Sequence, residues 1–146
     1  MNDAWEVLVE DILTTSGKYP RRAVEYPPTA DMLANAQKLA RALTSISLTI
    51  HKDLKLTSGY RPPAENKKAG GAPGSWHLKC AAADVSDPTL FLAKWVRGEE
   101  KFLGHLGLWM EDPDYTPGWV HFQIFPPASM SRFFKPHSGP PPGKKK

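Results

Sequence analysis

The sequence predicts a single domain of the α+β class, with helices early in the chain and short strands later. Its 146 residues suit one domain with one hydrophobic core. Apolar residues recur at helical spacing in the first third of the chain, and alternating apolar and polar residues mark strands in the rest. We expect this domain to span residues 1–136. Residues 137–146 are rich in proline, glycine and lysine, and we expect them to form a disordered tail.

The composition narrows the classes of function. The net charge of +4 includes three lysines at 144–146, so the rest of the chain is close to neutral, and no basic face predicts nucleic-acid binding. No apolar run approaches the roughly 18 residues that a membrane-spanning helix needs, so we expect no membrane insertion. Cys80 is the single cysteine, which rules out a disulfide within the chain.

Three helices are predicted from periodicity and capping residues. The first covers residues 3–14, where apolar residues repeat at intervals of three and four. The second begins after the N-cap Thr29 and runs to about Ser45 or beyond. The third begins with Asp87 as N-cap and Pro88 at the first helical position. The inner face of this third helix is expected to contain Leu90, Phe91, Lys94 and Trp95.

Four short segments are predicted as strands. The last two of them flank a turn-rich loop, which indicates a hairpin. If Asp112–Pro117 forms that loop, Glu111 lies opposite Gly118 across the hairpin. The four segments are 54–58, 80–85, 106–111 and 119–125.

Two histidines and one aspartate are the residues most suggestive of chemistry. His77 lies in a loop rich in glycine and serine, Asp84 lies in the strand that follows, and His121 lies in the last strand. Each of them alone is also explained as an ordinary structural residue. Together they form a three-ligand set that suits zinc and leaves a fourth position for water or substrate, which is the catalytic kind of zinc site.

The same residues belong to a longer spaced motif. The motif resembles the lysostaphin/D-Ala-D-Ala metallopeptidase/hedgehog superfamily, and within it the branch of D-Ala-D-Ala carboxypeptidases and phage L-alanyl-D-glutamate endolysins. Upstream, 58–63 and 70–73 resemble the loop that precedes the first ligand in that branch, and the resemblance covers roughly residues 14–136. The motif consists of Ser75, His77, Cys80, Ala82, Asp84, Trp119 and His121.

The resemblance implies a hedgehog/DD-peptidase-like fold, in which helices pack on one side of a small antiparallel sheet. It implies Zn²⁺ held by His77, Asp84 and His121. It also implies that Arg61 faces the cleft, where the guanidinium either binds a substrate carboxylate or braces the loop. Two further motif residues, Ser75 and Trp119, are expected to contact substrate.

The chain departs from the family pattern at two positions. Cys80 stands where the pattern has glycine, and we expect it to pack in mid-strand as a small buried side chain and not to bind metal. Gly118 occupies the position, three residues before the second histidine, where the catalytic acid usually lies. A replacement is sought among nearby carboxylates, with Glu111 preferred and Asp114 next. The alternative is that these are only turn and edge carboxylates.

The resemblance implies a zinc-dependent peptidase that cleaves the stem peptide of peptidoglycan, as a carboxypeptidase or an endopeptidase. The front part of the chain resembles short phage and prophage members, in Tyr26–Pro28 and in Asn35, Leu39 and Ala40 of the second helix, and this resemblance implies a cell-wall-degrading phage protein. No N-terminal segment resembles a signal peptide, so we expect synthesis in the host cytoplasm. The protein would reach the wall after release or within a virion, beside other virion proteins. The alternative, motivated by Gly118, is a zinc-binding virion structural or wall-binding module without turnover.

Overall fold

A 21-residue helix, Ala30–Ile50, and a five-stranded sheet form the framework of the protein. The computed structural model describes residues 5–14, 26–68, 70 and 72–142. Two 3₁₀ turns, Trp76–Lys79 and Pro113–Tyr115, lie in the loops. No helix among the described residues combines the length and the apolar composition that a bilayer span requires. The helices are α1 (Val9–Thr14), α2 (Ala30–Ile50), α3 (Pro63–Lys68), α4 (Phe91–Arg97) and α5 (Glu100–His105).

The sheet is small, open and mostly antiparallel. Its strand order is β1-β2-β4-β3-β5, and only the pair β3–β5 is parallel. This mixture of helices with a small sheet confirms the predicted α+β class. The strands are β1 (Leu56–Ser58), β2 (Ala82–Ser86), β3 (Trp109–Glu111), β4 (Trp119–Gln123) and β5 (Phe133–Phe134).

One face of the sheet packs on the apolar core, and the other face carries polar residues of the candidate site. On one face, Ala83 pairs with Phe122 and Val85 pairs with Val120, and all four belong to the apolar core that the buried face of α2 shares. Successive residues of a strand point to opposite faces, so the residues between them point away from this core. Asp84 and His121, which are direct cross-strand partners, therefore lie together on the other face.

The helix α2 begins and ends as its sequence indicates. The hydroxyl of Thr29 accepts a hydrogen bond of 3.2 Å from the amide of Met32, which confirms it as the N-cap. At the other end, His51 adopts a left-handed conformation with φ of 55° and donates its backbone N–H to Ser47. The helix thus continues five residues beyond Ser45, to Ile50.

The first helix is shorter than predicted. Helix α1 begins at Val9, and residues 3 and 4 of the predicted helix lie outside the described residues. The amide of Val7 donates to Oγ1 of Thr44 at 2.9 Å, and Oγ1 donates in turn to the carbonyl of Val7 at 3.3 Å. This side chain on α2 thus binds both backbone groups of Val7, the helix begins only at Val9, and Leu8 is 46% exposed.

The third predicted helix starts later than expected. The N-cap is Leu90 and not the predicted Asp87, and α4 begins only at Phe91 instead of at Pro88. The carboxylate of Asp87 nevertheless accepts hydrogen bonds from the amides of Leu92 and Ala93 at 2.9 and 2.8 Å. This later start changes which side chains of α4 are buried. Leu92 and Val96 are buried, whereas two of the residues predicted to face inward, Leu90 and Phe91, are 54% and 42% exposed.

The segment after residue 136 makes contacts in its first part. The hydroxyl of Tyr115 donates a 2.9 Å hydrogen bond to the carbonyl of Gly139, and the rings of Tyr115 and His137 meet edge to face at 5.1 Å. These contacts hold part of the predicted tail against the turn before β4. Residues 143–146 lie outside the described part of the chain.

Candidate metal centre

Three elements bring His77, Asp84 and His121 together. His77 comes from the first 3₁₀ turn, Asp84 from β2 and His121 from β4. One potential ligand atom from each residue lies within 4.8 Å of the others, and all three side chains are buried. These are the three residues that the sequence predicts as zinc ligands, and in this arrangement they can hold a metal ion.

His77 is oriented by the backbone of the preceding loop. Its Nδ1–H donates to the carbonyl oxygen of Gly59 at 2.7 Å, so the other ring nitrogen, Nε2, carries the lone pair. An added Cβ at Gly59 would overlap the carbonyl oxygen of Ile12, so glycine permits the close approach of α1 to this loop. The hydroxyl of Ser75 caps the 3₁₀ turn by accepting from the amide of His77 at 3.2 Å.

The lone pair of His77 faces the candidate metal position. Nε2 is buried, has no hydrogen-bond partner among the described residues, and lies 3.4 Å from Oδ1 of Asp84. Burial lowers the pKa of His77, despite the nearby charge of Asp84, and favours the neutral imidazole. A buried, neutral nitrogen without a partner is the state in which histidine binds a metal.

His121, on β4, also faces the candidate metal position. Its Nδ1 lies 2.9 Å from Oδ1 of Asp84, and its Nε2 lies 2.7 Å from Oε1 of Gln123. Burial lowers the pKa of His121, but the hydrogen bond to Asp84 and the charges of Asp84 and Glu111 outweigh it, and the pKa is raised. Burial likewise raises the pKa of Asp84, but the two histidines hold it well below its usual range.

This donor set fits zinc. Two imidazole nitrogens and one carboxylate oxygen are ligands that Zn²⁺ accepts, and three protein ligands leave one position open. Each histidine has an outer partner for its remaining N–H, the carbonyl of Gly59 for His77 and the amide oxygen of Gln123 for His121. Such outer partners are typical of histidine ligands to metals.

The three residues lie in the wall of an open cleft of about 780 Å³. Trp76, which also lines this cleft, packs against Phe125 with ring centroids 4.5 Å apart. The volume of the cleft lies within the range of about 300–1,000 Å³ that is typical of ligand-binding sites. The predicted site residues that line it, besides the three above, are Arg61, Ser75, Glu111 and Trp119.

Glu111 reaches the site through a strand register that differs from the predicted one. Met110 pairs with Phe122, so the continuing register brings Glu111 towards His121, and the predicted pairing of Glu111 with Gly118 is wrong. Oε2 of Glu111 lies 3.3 Å from Nδ1 of His121. Burial raises the pKa of Glu111, although the charge of His121 opposes this shift. A partly buried carboxylate is thus present beside the candidate metal position.

The other two hairpin carboxylates point elsewhere. Oδ1 of Asp114 lies 2.7 Å from Nη2 of Arg97, and Oδ1 of Asp112 lies 3.3 Å from the same nitrogen. Asp112 caps the second 3₁₀ turn by accepting from the amide of Asp114, which turns both side chains towards α4. Neither residue lines the cleft, so their placement argues against Asp114 as a proton shuttle.

Arg61 makes contacts within the loop and also lines the cleft. Its guanidinium Nη1 donates to Oδ1 of Asn66 at 3.5 Å, and its backbone amide donates to the carbonyl of His77 at 3.0 Å. Its Nη2 lies 3.5 Å from Oδ2 of Asp84, and its side chain lines the cleft. Nε is buried and has no hydrogen-bond partner among the described residues. Substrate binding by Arg61 stays a prediction.

Cys80 lies in the turn before β2 and not, as the sequence predicts, in the middle of a strand. It ends the first 3₁₀ turn with φ of 58°, and β2 begins only at Ala82. This left-handed conformation favours glycine, which explains why the family pattern has glycine here. Cys80 is fully buried, and burial raises the pKa of its thiol to about 12. It does not belong to the metal-binding group formed by the described residues.

Sequence reasoning missed the residues that support the ligands. Gln123 lies two positions after His121, and period-two alternation alone would have placed it on the same face. The role of Gly59 depends on its carbonyl group, which no residue type reveals. Pro136 and His137 also line the cleft, because β5 returns the chain beside β3.

Comparison with known proteins places the chain in a family. The family model described as Peptidase M15 matches residues 7–98, which are 92 of the 146 residues and include His77 and Asp84. No curated protein and no solved structure gives a significant match. M15 peptidases are zinc enzymes, which agrees with the His-Asp-His group. The match confirms the predicted superfamily: the chain belongs to the peptidase M15 family.

Proposed function

We propose that the protein is a zinc-dependent peptidase that hydrolyses the stem peptide of peptidoglycan. The observation that carries this proposal is the buried group of His77, Asp84 and His121 in the wall of an open cleft. Nε2 of His77, which has no hydrogen-bond partner in the described part of the chain, points into this group. Membership of the M15 family supports the metallopeptidase class.

The reaction needs a Lewis acid, an activated water and a group that moves a proton. Bound zinc supplies polarisation of the scissile carbonyl and lowers the pKa of water. Glu111 is the described carboxylate that lines the cleft and contacts His121 without belonging to the ligand group. We assign to it the transfer of a proton from the attacking water to the leaving amine. Its position compensates for the absence of a side chain at Gly118.

Substrate recognition is assigned to residues around the ligands. The forked guanidinium of Arg61, which lines the cleft, suits a carboxylate of the stem peptide. Trp119 supplies an apolar wall on the cleft. The hydroxyl of Ser75 already caps the turn that carries His77, so its main contribution is to hold that ligand in place.

The biological setting that we propose is a phage or prophage. This part rests on the resemblance of the front part of the chain to short phage and prophage members, and of the motif to a branch that contains phage endolysins. The protein would be made in the host cytoplasm and would meet peptidoglycan after release or as a component of a virion. In the second case other virion proteins would be its partners.

A wall-hydrolysis assay tests the proposed function. Purified peptidoglycan is incubated with the zinc-loaded protein, with the chelator-treated protein, and with treated protein to which zinc is returned. We expect release of new amino groups only when zinc is present, and mass spectrometry of the products identifies the bond that is cut. A protein that binds zinc and walls but releases nothing at any pH would establish the wall-binding module instead.

A further inference from the structure

Gln123 is a buried polar residue beside the candidate metal centre. It lies two residues after His121 on β4, on the same face of the sheet, and is only 4% exposed. Its side chain makes two hydrogen bonds, one to the ring of His121 at 2.7 Å and one to the carbonyl oxygen of Phe125 at 2.8 Å. Burying an amide requires such partners, so both bonds hold this side chain in one orientation.

The contact with Phe125 determines which end of the amide faces His121. A backbone carbonyl oxygen can only accept, so the NH₂ group of Gln123 must face Phe125. The amide oxygen of Gln123 then faces Nε2 of His121, and because that oxygen can only accept, Nε2 must carry a hydrogen. With the hydrogen on Nε2 held in this way, Nδ1 is the nitrogen that can offer a lone pair to a metal, once it gives up the hydrogen that it shares with Asp84 at 2.9 Å.

We propose that Gln123 is a positioning residue that fixes the Nε2–H tautomer and the ring orientation of His121, so that Nδ1 faces the metal. This inference rests on the zinc site of the proposed function. His77 is fixed in the opposite sense, because Gly59 accepts from its Nδ1–H and leaves Nε2 free for the metal. The two histidines therefore present different nitrogens, each selected by one outer acceptor.

An uncharged hydrogen-bond acceptor is suited to position 123. Asp84 and Glu111 already place two carboxylates within 3.3 Å of Nδ1 of His121. A third carboxylate at residue 123 would add a buried negative charge and would set an oxygen against the carbonyl of Phe125. The amide of Gln123 supplies the acceptor for His121 and the donor for Phe125 without that cost.

The first test measures zinc affinity. Gln123→Leu keeps most of the side-chain volume but removes both hydrogen bonds, and Gln37→Leu makes the same change on the exposed face of α2. Competition with a chromophoric chelator gives the Kd of each purified protein for zinc. We expect Gln123→Leu to bind zinc about 10–100-fold more weakly, the usual effect of removing an outer partner, and Gln37→Leu to match the wild type.

The outcomes separate this inference from the function on which it rests. If the wild type binds no stoichiometric zinc, the proposed function and this inference both fail. If the wild type binds zinc and Gln123→Leu binds it within about twofold of the wild-type Kd, the positioning role alone is overturned, since about tenfold is the smaller usual effect.

The second test does not depend on a variant that folds. Nitrogen-15 NMR of the zinc-loaded wild type reports which ring nitrogen of each histidine carries a hydrogen. We expect a protonated Nε2 in His121 and a protonated Nδ1 in His77. A His121 with hydrogen on Nδ1 and metal on Nε2 would overturn the proposal, because a Gln123 that serves only packing sets no such preference.

Discussion

Oε2 of Glu111 lies 3.3 Å from Nδ1 of His121, although the two residues belong to different strands. The pairing of β3 with β4 produces this contact, since Met110 lies opposite Phe122 and the following residue approaches His121. A carboxylate thus stands beside the candidate metal position without the usual side chain at Gly118. We therefore assign the proposed catalytic acid to the neighbouring strand.

Replacing Glu111 by Gln is expected to abolish most of the activity. The change keeps the size of the side chain but removes the group that accepts and returns the proton. Wall hydrolysis should fall on the order of a hundredfold or more, while zinc content and thermal stability stay near those of the wild type. Initial rates on purified peptidoglycan, measured with zinc in excess, give this result.

Asp114→Asn is the matched control for that experiment. Asp114 belongs to the same hairpin, but its carboxylate pairs with Arg97 outside the cleft. We expect nearly full activity from this variant. Full activity in Glu111→Gln, together with a large loss in Asp114→Asn, would mean that the proton shuttle is not the residue beside His121.

Arg61→Lys is expected to discriminate between two kinds of substrate. Lysine keeps the positive charge near Asp84 but lacks the planar fork that matches a carboxylate. Measured on stem peptides, kcat/KM should fall about tenfold or more when the peptide ends in a free carboxylate, the size expected for a charged hydrogen bond. It should fall much less when that end is amidated. An equal fall on both peptides would show that Arg61 only braces the loop.

The raised pKa of the buried Cys80 thiol predicts that the stability of the protein depends on pH. Its thiol has a pKa of about 12 when folded, against roughly 8.5 in an unfolded chain, so above pH 8.5 the unfolded state loses the proton first. The free energy of unfolding should therefore fall as pH rises from about 8.5, by at most about 1.4 kcal/mol per pH unit. Urea unfolding of the wild type and Cys80→Ala at pH 8, 9 and 10 measures the difference. Parallel curves would contradict the raised pKa.

Much of the site follows from the sequence. The motif that resembles the family contains His77, Asp84 and His121, which lie in one group in the structure, and period-two alternation accounts for the last two lying on the face away from the core. The start of α2 was also predictable, because Thr29 is a typical N-cap residue and caps this helix in the structure. These features depend on residue type and short-range periodicity, which a sequence displays directly.

Other features depend on tertiary contacts that the sequence does not display. Thr44 captures the backbone of Val7 and shortens the first helix. The capped turn at Asp112 sets the hairpin register, and that register decides which carboxylate reaches His121. The tautomers of the ligands depend on a carbonyl and an amide, from Gly59 and Gln123, whose orientation only the folded chain fixes.

The zinc-to-protein ratio tests the central claim most directly. Elemental analysis is applied to the wild type, to His77→Ala and to His105→Ala, which removes an exposed histidine outside the group. We expect about one zinc per chain in the wild type and in His105→Ala, because three protein ligands suit one Zn²⁺, and almost none in His77→Ala. Equal zinc content in the wild type and His77→Ala would contradict the assignment of the metal centre.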